Sequence, residues 1–310
     1  MTIGITGIGY HISTERVNTL EKAQQHDLTS TFIKNKIGFV SLARKASPQK
    51  ASDLCVLAYD DLFQRTQNNA LLNDIEFICV CTQNGDYQLP QTSAIVQDKL
   101  GISSTCASFD ISMGCSGYVY SLHIAKSFME SNGFIKGLLF TSDPYSDIVD
   151  PKDKHTSFLF GDGATVTLLT DKPVYEIGNG VFETHGNYHK QLIKNENLKL
   201  QMNGRGIFNF TMLSAPDNVS KCLKKNSLSK KHIDVFLLHQ ASKYIIDNLC
   251  MRMKLDPVKV PFLARDYGNT VSSSIPIGLR KYLDKAEIEN ILICGFGVGL
   301  SIASSIIRRR

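Results

Sequence analysis

The chain of 310 residues has no tryptophan, no CxxC pair and no low-complexity tract or short-period repeat. No apolar run reaches the roughly 18 residues that a membrane-spanning helix needs. The opening MTIGITGIGY lacks the basic start and apolar middle of a secretory leader. These absences argue against a membrane span, a zinc ribbon, a fibrous chain and a secreted disulfide scaffold. Charge of one sign is also scarce: 34 basic against 29 acidic residues leave +5, with a pI near 8.7. Nucleic-acid binders usually lie above about 9 with their basic residues clustered. The small excess suits an anionic partner without requiring one. The expectation is a cytoplasmic protein with reduced thiols, no bound metal and no nucleic-acid partner.

Hydrophobic residues make up 43% of the chain and charged residues 20%, ordinary values for a globular protein. At roughly 100–200 residues per domain, the length predicts two domains or one large α/β unit. Either can bury a core without staples. Short apolar runs alternate with amphipathic stretches. Ile3–Ile8 reads as a strand broken at Gly9, residues 51–68 as a helix, and Glu76–Cys81 as a buried strand. Thr92–Leu100 reads as a helix stopped by Gly101, Ser108–Met113 as a strand, and Cys115–Met129 as a small-residue helix. Gly137–Ser142 and Ala164–Thr170 are further strands. This alternation predicts a layered α/β fold with a largely parallel sheet. A weak echo follows in Val235–Leu238, a helix near 241–254, a helix at Ser272–Leu283 and a closing strand pair, Ile291–Cys294 and Leu300–Ile307. The chain therefore reads as a duplicated unit, divided near 171–180. Residues 183–206, rich in Asn, Lys, His and Gly, read as a long loop.

Eight cysteines are present, and one stands in a distinctive place. Cys79 and Cys81 form a CxC inside an apolar run, which puts both on one face of a strand. Cys115, in Met113-Gly114-Cys115-Ser116-Gly117, lies where a strand gives way to a helix. A helix N-terminus stabilises a thiolate, and the flanking glycines allow a tight turn and close approach by a substrate. The plainer alternative is a buried structural cysteine. His239 follows the strand VFLL, at the usual site edge of an α/β sheet; alone it is as readily a hydrogen-bonded core histidine. Asn269, in Tyr267-Gly268-Asn269-Thr270, could be a fixed neutral donor or a simple turn residue. Gly295-Phe296-Gly297-Val298-Gly299 could lend a backbone N–H to an oxyanion or form a tight hairpin. It lacks the following helix and acid of a dinucleotide fingerprint.

Taken together, these pieces resemble the β-ketoacyl-acyl carrier protein synthase III family of thiolase-like condensing enzymes. Cys115 precedes His239 by 124 residues, and His239 precedes Asn269 by 30. FDISMGCSGYVYSL, FGDGATVTLL, MNGRGIFNF, LLHQAS and YGNTVSSSIP carry the likeness over nearly the whole chain. The resemblance implies a thiolase-like fold of two duplicated α/β halves, 1–172 and 173–310, in an α-β-α-β-α layering. It implies that an acyl-CoA acylates Cys115, and that malonyl-acyl carrier protein then decarboxylates and attacks the thioester. His239 and Asn269 would stabilise the enolate, and the backbone N–H groups of Cys115 and Val298 would form the oxyanion hole. The CoA thioester is itself the substrate, so no cofactor is implied. A homodimer is implied, with Leu89 near the residue that closes the partner's acyl pocket.

The likeness also implies CoA contacts at Phe32, Lys36, Lys154, Ser242 and Tyr244. Here the chain departs from the family's pattern. Phe32 stands for a tryptophan, Lys36 and Lys154 for arginines, Tyr244 for an arginine and Ser242 for an asparagine. Lysine keeps the charge but loses the bidentate fork. Val298 replaces a common glycine, which a backbone donor survives. These departures suggest a specialised acyl donor or carrier. They leave open an acyltransferase making an ester or amide from the acyl-enzyme, or a non-catalytic partner subunit, which intact Cys115, His239 and Asn269 argue against. A hydroxymethylglutaryl-CoA synthase would want a glutamate where residues 82–86 read TQNGD. Lys221, Lys224, Lys225, Lys230 and Lys231 read as a solvated helix end and loop; the sharper reading is a dock for an acidic carrier.

Overall fold

The computed structural model describes residues 2–67 and 71–310. In chain order the first half holds β1 (Gly4–Ile12), β2 (Glu15–Asn18), α1 (Thr19–Gln24), α2 (Ser30–Phe32) with a π-turn at Ile33–Ile37, β3 (Ser41–Arg44) and α3 (Ala51–Thr66). It continues with β4 (Phe77–Cys81), α4 (Thr92–Lys99), β5 (Ala107–Ile111), α5 (Gly117–Asn132), β6 (Lys136–Ser142) and β7 (Gly163–Thr170). The second half holds β8 (Tyr175–Ile177), β9 (Val181–Thr184), β10 (Leu192–Lys194), β11 (Leu200–Met202), α6 (Gly204–Lys225) and β12 (Val235–Leu238). It ends with α7 (Lys243–Arg252), α8 (Ser274–Arg280), β13 (Asn290–Gly297) and β14 (Ser301–Arg309). The last position of the helix expected over 51–68 lies outside the described residues.

Among the described residues, ten strands form one sheet in the order β12-β13-β14-β8-β1-β7-β6-β4-β5, with β9 added beside β14. The sheet is mixed rather than largely parallel. Only β4/β5, β4/β6 and β12/β13 run parallel; the other pairs are antiparallel. The reason is connectivity. A parallel return needs a long crossover, usually a helix, and neither β6–β7 nor β13–β14 is joined by one. The β6–β7 link holds only a 3-10 turn at Tyr145–Asp147, and β13 returns through three residues. The pairing senses recur along the chain. β4, β6, β7 and β1 pair parallel, antiparallel, antiparallel; β12, β13, β14 and β8 do the same.

Helices fill three layers. α3 packs on β1, β6 and β7, and α6 packs on β9, β13 and β14, covering the two outer faces. α5 touches β4 and β6 on one side and β13 and β14 on the other; α8 touches β1, β7, β12 and β13. These two helices are therefore the filling between the halves of the sheet, which gives the α-β-α-β-α layering. A strand covered on both faces has no room for polar residues, and β4 (FICVC) is buried at every position.

Three local expectations change. Gly9 does not break the first strand: β1 runs through it to Ile12, and a Cβ there would lie 2.4 Å from the Ala58 carbonyl of α3. The glycine marks close helix–strand packing rather than a turn. Residues 183–206 are not one loop but a 3-10 helix and the small β10–β11 hairpin. The helix expected at Ser272–Leu283 shortens to a 3-10 turn, Val271–Ser273, and α8.

Candidate active site

Cys115 sits in the link between β5 and α5 and is 5% exposed. The chain turns sharply there: Met113 N–H donates to Ile111 O, and Gly117 N–H to Gly114 O at 2.8 Å. The turn lies hard against β13. A Cβ on Gly297 would come within 2.8 Å of Cys115 Sγ, and one on Gly295 within 2.6 Å of Cys115 O. The alternation of a strand puts Gly295 and Gly297 on the same face, so the GxG is a seat for the nucleophile's backbone. The N–H of Val298 in the hairpin turn and that of Cys115 itself both act to lower the pKa of the Cys115 thiol. Both stabilise negative charge on sulfur. Burial outweighs them, with Asp143 adding to it, and pushes the thiol up to about 12. The resting sulfur is therefore a thiol, burial outweighing the groups that favour the thiolate.

His239 follows β12, its N–H bonded to Cys294 O at 2.8 Å. Nδ1 lies 2.6 Å from Ser274 Oγ at the start of α8, and the ring meets Phe296 edge-on. Burial lowers its pKa to about 3, so the imidazole is neutral. In the tautomer in which the Ser274 hydroxyl donates to Nδ1, Nε2 carries the proton and is a donor. Asn269 is tied at both backbone ends: its N–H donates to Leu159 O, and its carbonyl accepts from Gly161 N–H. Its side-chain oxygen accepts the Val271 N–H at 2.8 Å. This fixes the amide so that its nitrogen is the free end. Val271 reaches that position with φ +52, a left-handed conformation costly for a β-branched residue.

Behind these groups Asp143 is fully buried. It accepts from Gln83 N–H at 2.7 Å and from the Ser272 hydroxyl, and so joins the start of the β4–α4 loop to the turn that carries Asn269. Burial raises its carboxyl to about 6.

Cys115, His239 and Asn269 line one cavity of about 520 Å³. Phe32, Lys36, Lys154, Ser242 and Tyr244 line it too, nearer the surface. Tyr244 stacks on Phe208 with ring centroids 5.2 Å apart, and Lys36 Nζ stands 3.8 Å over its ring. The Ser242 hydroxyl caps α7, accepting from Ile245 N–H. Arg205 and His155 also line the mouth, and among the described residues no carboxylate does. Arg205 and Phe208 were not singled out from sequence, although both lie in the MNGRGIFNF segment. Leu89 is 86% exposed and does not line this chain's own cavity. Nor do the five lysines at 221–231. Lys221 pairs with Glu183 and Asp217, Lys225 donates to Gly180 O, and Lys230 donates to Met253 O. Among the described residues, no cluster of three potential metal ligands occurs and no helix is long and apolar enough to cross a membrane.

The site combines a buried thiol, two backbone N–H groups that act on it, a neutral imidazole and a fixed carboxamide, reached by a basic mouth. That arrangement can carry an acyl group on sulfur and stabilise an enolate beside it. Comparison with known proteins agrees. The family model for 3-oxoacyl-[acyl-carrier-protein] synthase III matches residues 109–186, and the model for its C-terminal part matches 223–309. The β-ketoacyl-[acyl-carrier-protein] synthase III of Streptococcus mutans is 30% identical over 98% of both chains. A solved 3-oxoacyl-(acyl-carrier-protein) synthase III superimposes with a TM-score of 0.92 at 30% identity, covering 99% of this chain and all of that one. A 3-oxoacyl-(acyl-carrier protein) synthase from Burkholderia xenovorans gives 0.92 at 27% identity, covering 100% and 94%.

Proposed function

The chain belongs to the 3-oxoacyl-[acyl-carrier-protein] synthase III family, and from that premise we propose that it condenses an acyl-CoA with malonyl-acyl carrier protein through a Cys115 acyl-enzyme. One observation carries this reading: Cys115, His239 and Asn269, far apart in sequence, line a single cavity. Cys115 attacks the acyl-CoA thioester. A sulfur–carbonyl bond forms on the enzyme, the CoA sulfur–carbon bond breaks, and the thiol proton leaves with CoA. The Cys115 and Val298 N–H groups hold the oxyanion of the tetrahedral intermediate. Malonyl-acyl carrier protein then takes the vacated arm of the cavity. His239 Nε2–H and the Asn269 amide donate to its thioester carbonyl, carbon dioxide leaves, and the enolate carbon attacks the Cys115 thioester; the carbon–carbon bond forms as the Cys115 sulfur–carbon bond breaks, and the released sulfur takes a proton from solvent. Donors that are neutral at rest gain most when charge develops, so their stabilisation falls on the transition state.

Lys36, Lys154 and Arg205 supply positive charge for the CoA phosphates, with Phe32, Ser242 and Tyr244 beside them. The halves 1–172 and 173–310 meet at the site, the first giving the nucleophile and the second both donors. A cytoplasmic homodimer, with Leu89 reaching toward the partner, fits the exposure of that side chain. The charge of Lys224 and Lys231 suits an acidic carrier. Intact-mass measurement after incubation with a panel of acyl-CoAs tests the reading. A mass gain equal to the acyl group, lost in Cys115→Ala, is expected; a folded protein that gains nothing from any donor overturns it. Adding malonyl-acyl carrier protein should release a β-ketoacyl product. Release to an alcohol or amine instead would favour simple acyl transfer.

A further inference from the structure

The buried carboxylate of Asp143 has no part in the chemistry above. It has no exposed surface, and among the described residues no ion pair compensates it. The groups that titrate around it are Cys55 on α3, Cys81 at the end of β4, Cys115 and Tyr145. Burial first, and the charge of Asp143 with it, keep each of them neutral. The carboxylate is held instead by four donors from two loops. One oxygen accepts the Gln83 N–H at 2.7 Å and the Thr82 hydroxyl at 3.5 Å, both in the β4–α4 link. The other accepts the Ser272 hydroxyl and, at 3.4 Å, the Ser272 N–H. A carboxylate accepts at both ends, whereas an amide of the same size offers one acceptor oxygen.

What the carboxylate holds is the turn of one enolate donor. Ser272 follows Val271, whose N–H is the partner of the Asn269 side-chain oxygen. Val271 has φ +52, a conformation that persists only where the surroundings fix it. Asp143 fixes the residue just after it. Ser273 is tied separately, its hydroxyl donating to Thr141 O at 3.2 Å, so the turn keeps an anchor on β6 without the carboxylate. Toward Cys115 the carboxylate acts through its field, adding to burial in disfavouring the thiolate.

Resting on the acyl-enzyme reading, we infer that Asp143 is a positioning residue for condensation: through Ser272 it holds the Asn269 amide where the enolate forms, and it gives no help to formation of the acyl-enzyme. Above about pH 6 the carboxyl is ionised. Removing its charge at constant size should therefore slow the second half-reaction without slowing the first.

The test compares Asp143→Asn and Ser272→Ala with the unaltered protein. Cys115 is loaded with whichever acyl-CoA of the panel labels the unaltered protein fastest, followed by intact mass, and then mixed with malonyl-acyl carrier protein in a single turnover. Condensation should fall roughly tenfold or more in both variants. Acylation should hold in Ser272→Ala and hold or quicken in Asp143→Asn. Alkylation of Cys115 by iodoacetamide, at a fixed pH between the Asp143 and Cys115 values, adds a readout that a merely structural role would not move. It should rise roughly threefold or more in Asp143→Asn, because the thiolate fraction gains more than its nucleophilicity loses. It should stay level in Ser272→Ala, which keeps the charge. Acylation and condensation lost by the same factor in a folded variant, condensation untouched in either, or alkylation unmoved in Asp143→Asn overturns the assignment and leaves the acyl-enzyme in place. Either variant decides the split if only one folds. No acylation of the unaltered protein by any donor overturns both.

Discussion

The floor of the site and its mouth are built by different rules. On the floor every functional atom is fixed by something else. Gly297 seats Cys115, Ser274 holds His239, Val271 holds Asn269, and Asp143 spans the loops behind them. At the mouth, Lys36, Lys154 and Arg205 are exposed, and Phe32 is 43% exposed. A buried arrangement tolerates few residue types, whereas a solvated cation can be lysine or arginine at small cost. Packing therefore constrains the residue types of the floor, whereas solvent leaves those of the mouth freer to vary.

The largest expected effect breaks the floor. Asn269→Ala removes one neutral donor, and the condensation rate should fall roughly 100–1000-fold. Formation of the Cys115 acyl-enzyme should continue. Stopped-flow and intact-mass measurements separate the two half-reactions, and an equal loss in both would end the division of labour proposed for Cys115 and Asn269. Gly297→Ala comes next. Its methyl would collide with the nucleophile, and a displacement near 1 Å costs about 100-fold. Acylation should slow by that order while circular dichroism shows a folded protein; an unchanged rate would mean the seat is not needed.

A third prediction uses pH. Burial holds the native His239 neutral to about pH 3, while the unfolded residue takes a proton near pH 6.5. A depressed native pKa means the unfolded state binds more protons as pH falls, so stability is lost below pH 6.5. Between pH 7.5 and 5 this amounts to about 2 kcal/mol. His239→Gln should escape that loss, so the stability gap between it and the unaltered protein should move in the variant's favour on acidification. Paired denaturant titrations at the two pH values check it; a gap that does not move contradicts the buried neutral ring. The smallest effect belongs to the mouth. Lys36→Glu should raise KM for acyl-CoA roughly fivefold with kcat little changed, and added salt should shrink the difference. A fall in kcat with KM constant would assign Lys36 to the floor instead.

Much of the floor could be read from sequence, because its constraints leave marks there. A cysteine between glycines at a strand end, a histidine just past VFLL and an asparagine after Tyr-Gly were each ambiguous alone, but their order and spacing were not. β4 and β12 were legible as continuous apolar runs, since strands covered on both faces need them. Strand direction was not legible, because it depends on whether a crossover helix intervenes, as between β6 and β7. The backbone turn at Val271 was hidden as well, since nothing about a valine announces a positive φ. Arg205 went unnoticed because its stretch reads as loop; the fold puts it in the first turn of α6, lining the cavity that Lys36 also lines.

The seat that β13 offers Cys115 has a consequence for the lineage of such chains. The direct join between the two halves of the sheet is slight: β1 and β8 share two residue pairs, Gly4 with Glu176 and Ile5 with Tyr175. The turn that carries the sulfur, however, belongs to the first half and rests on glycines of the second. Were a recombination event to exchange one half for that of a distant relative, the incoming half would have to bring a matching glycine or find its counterpart's nucleophile displaced. Inheritance of the two halves is thus coupled at the seat of the nucleophile.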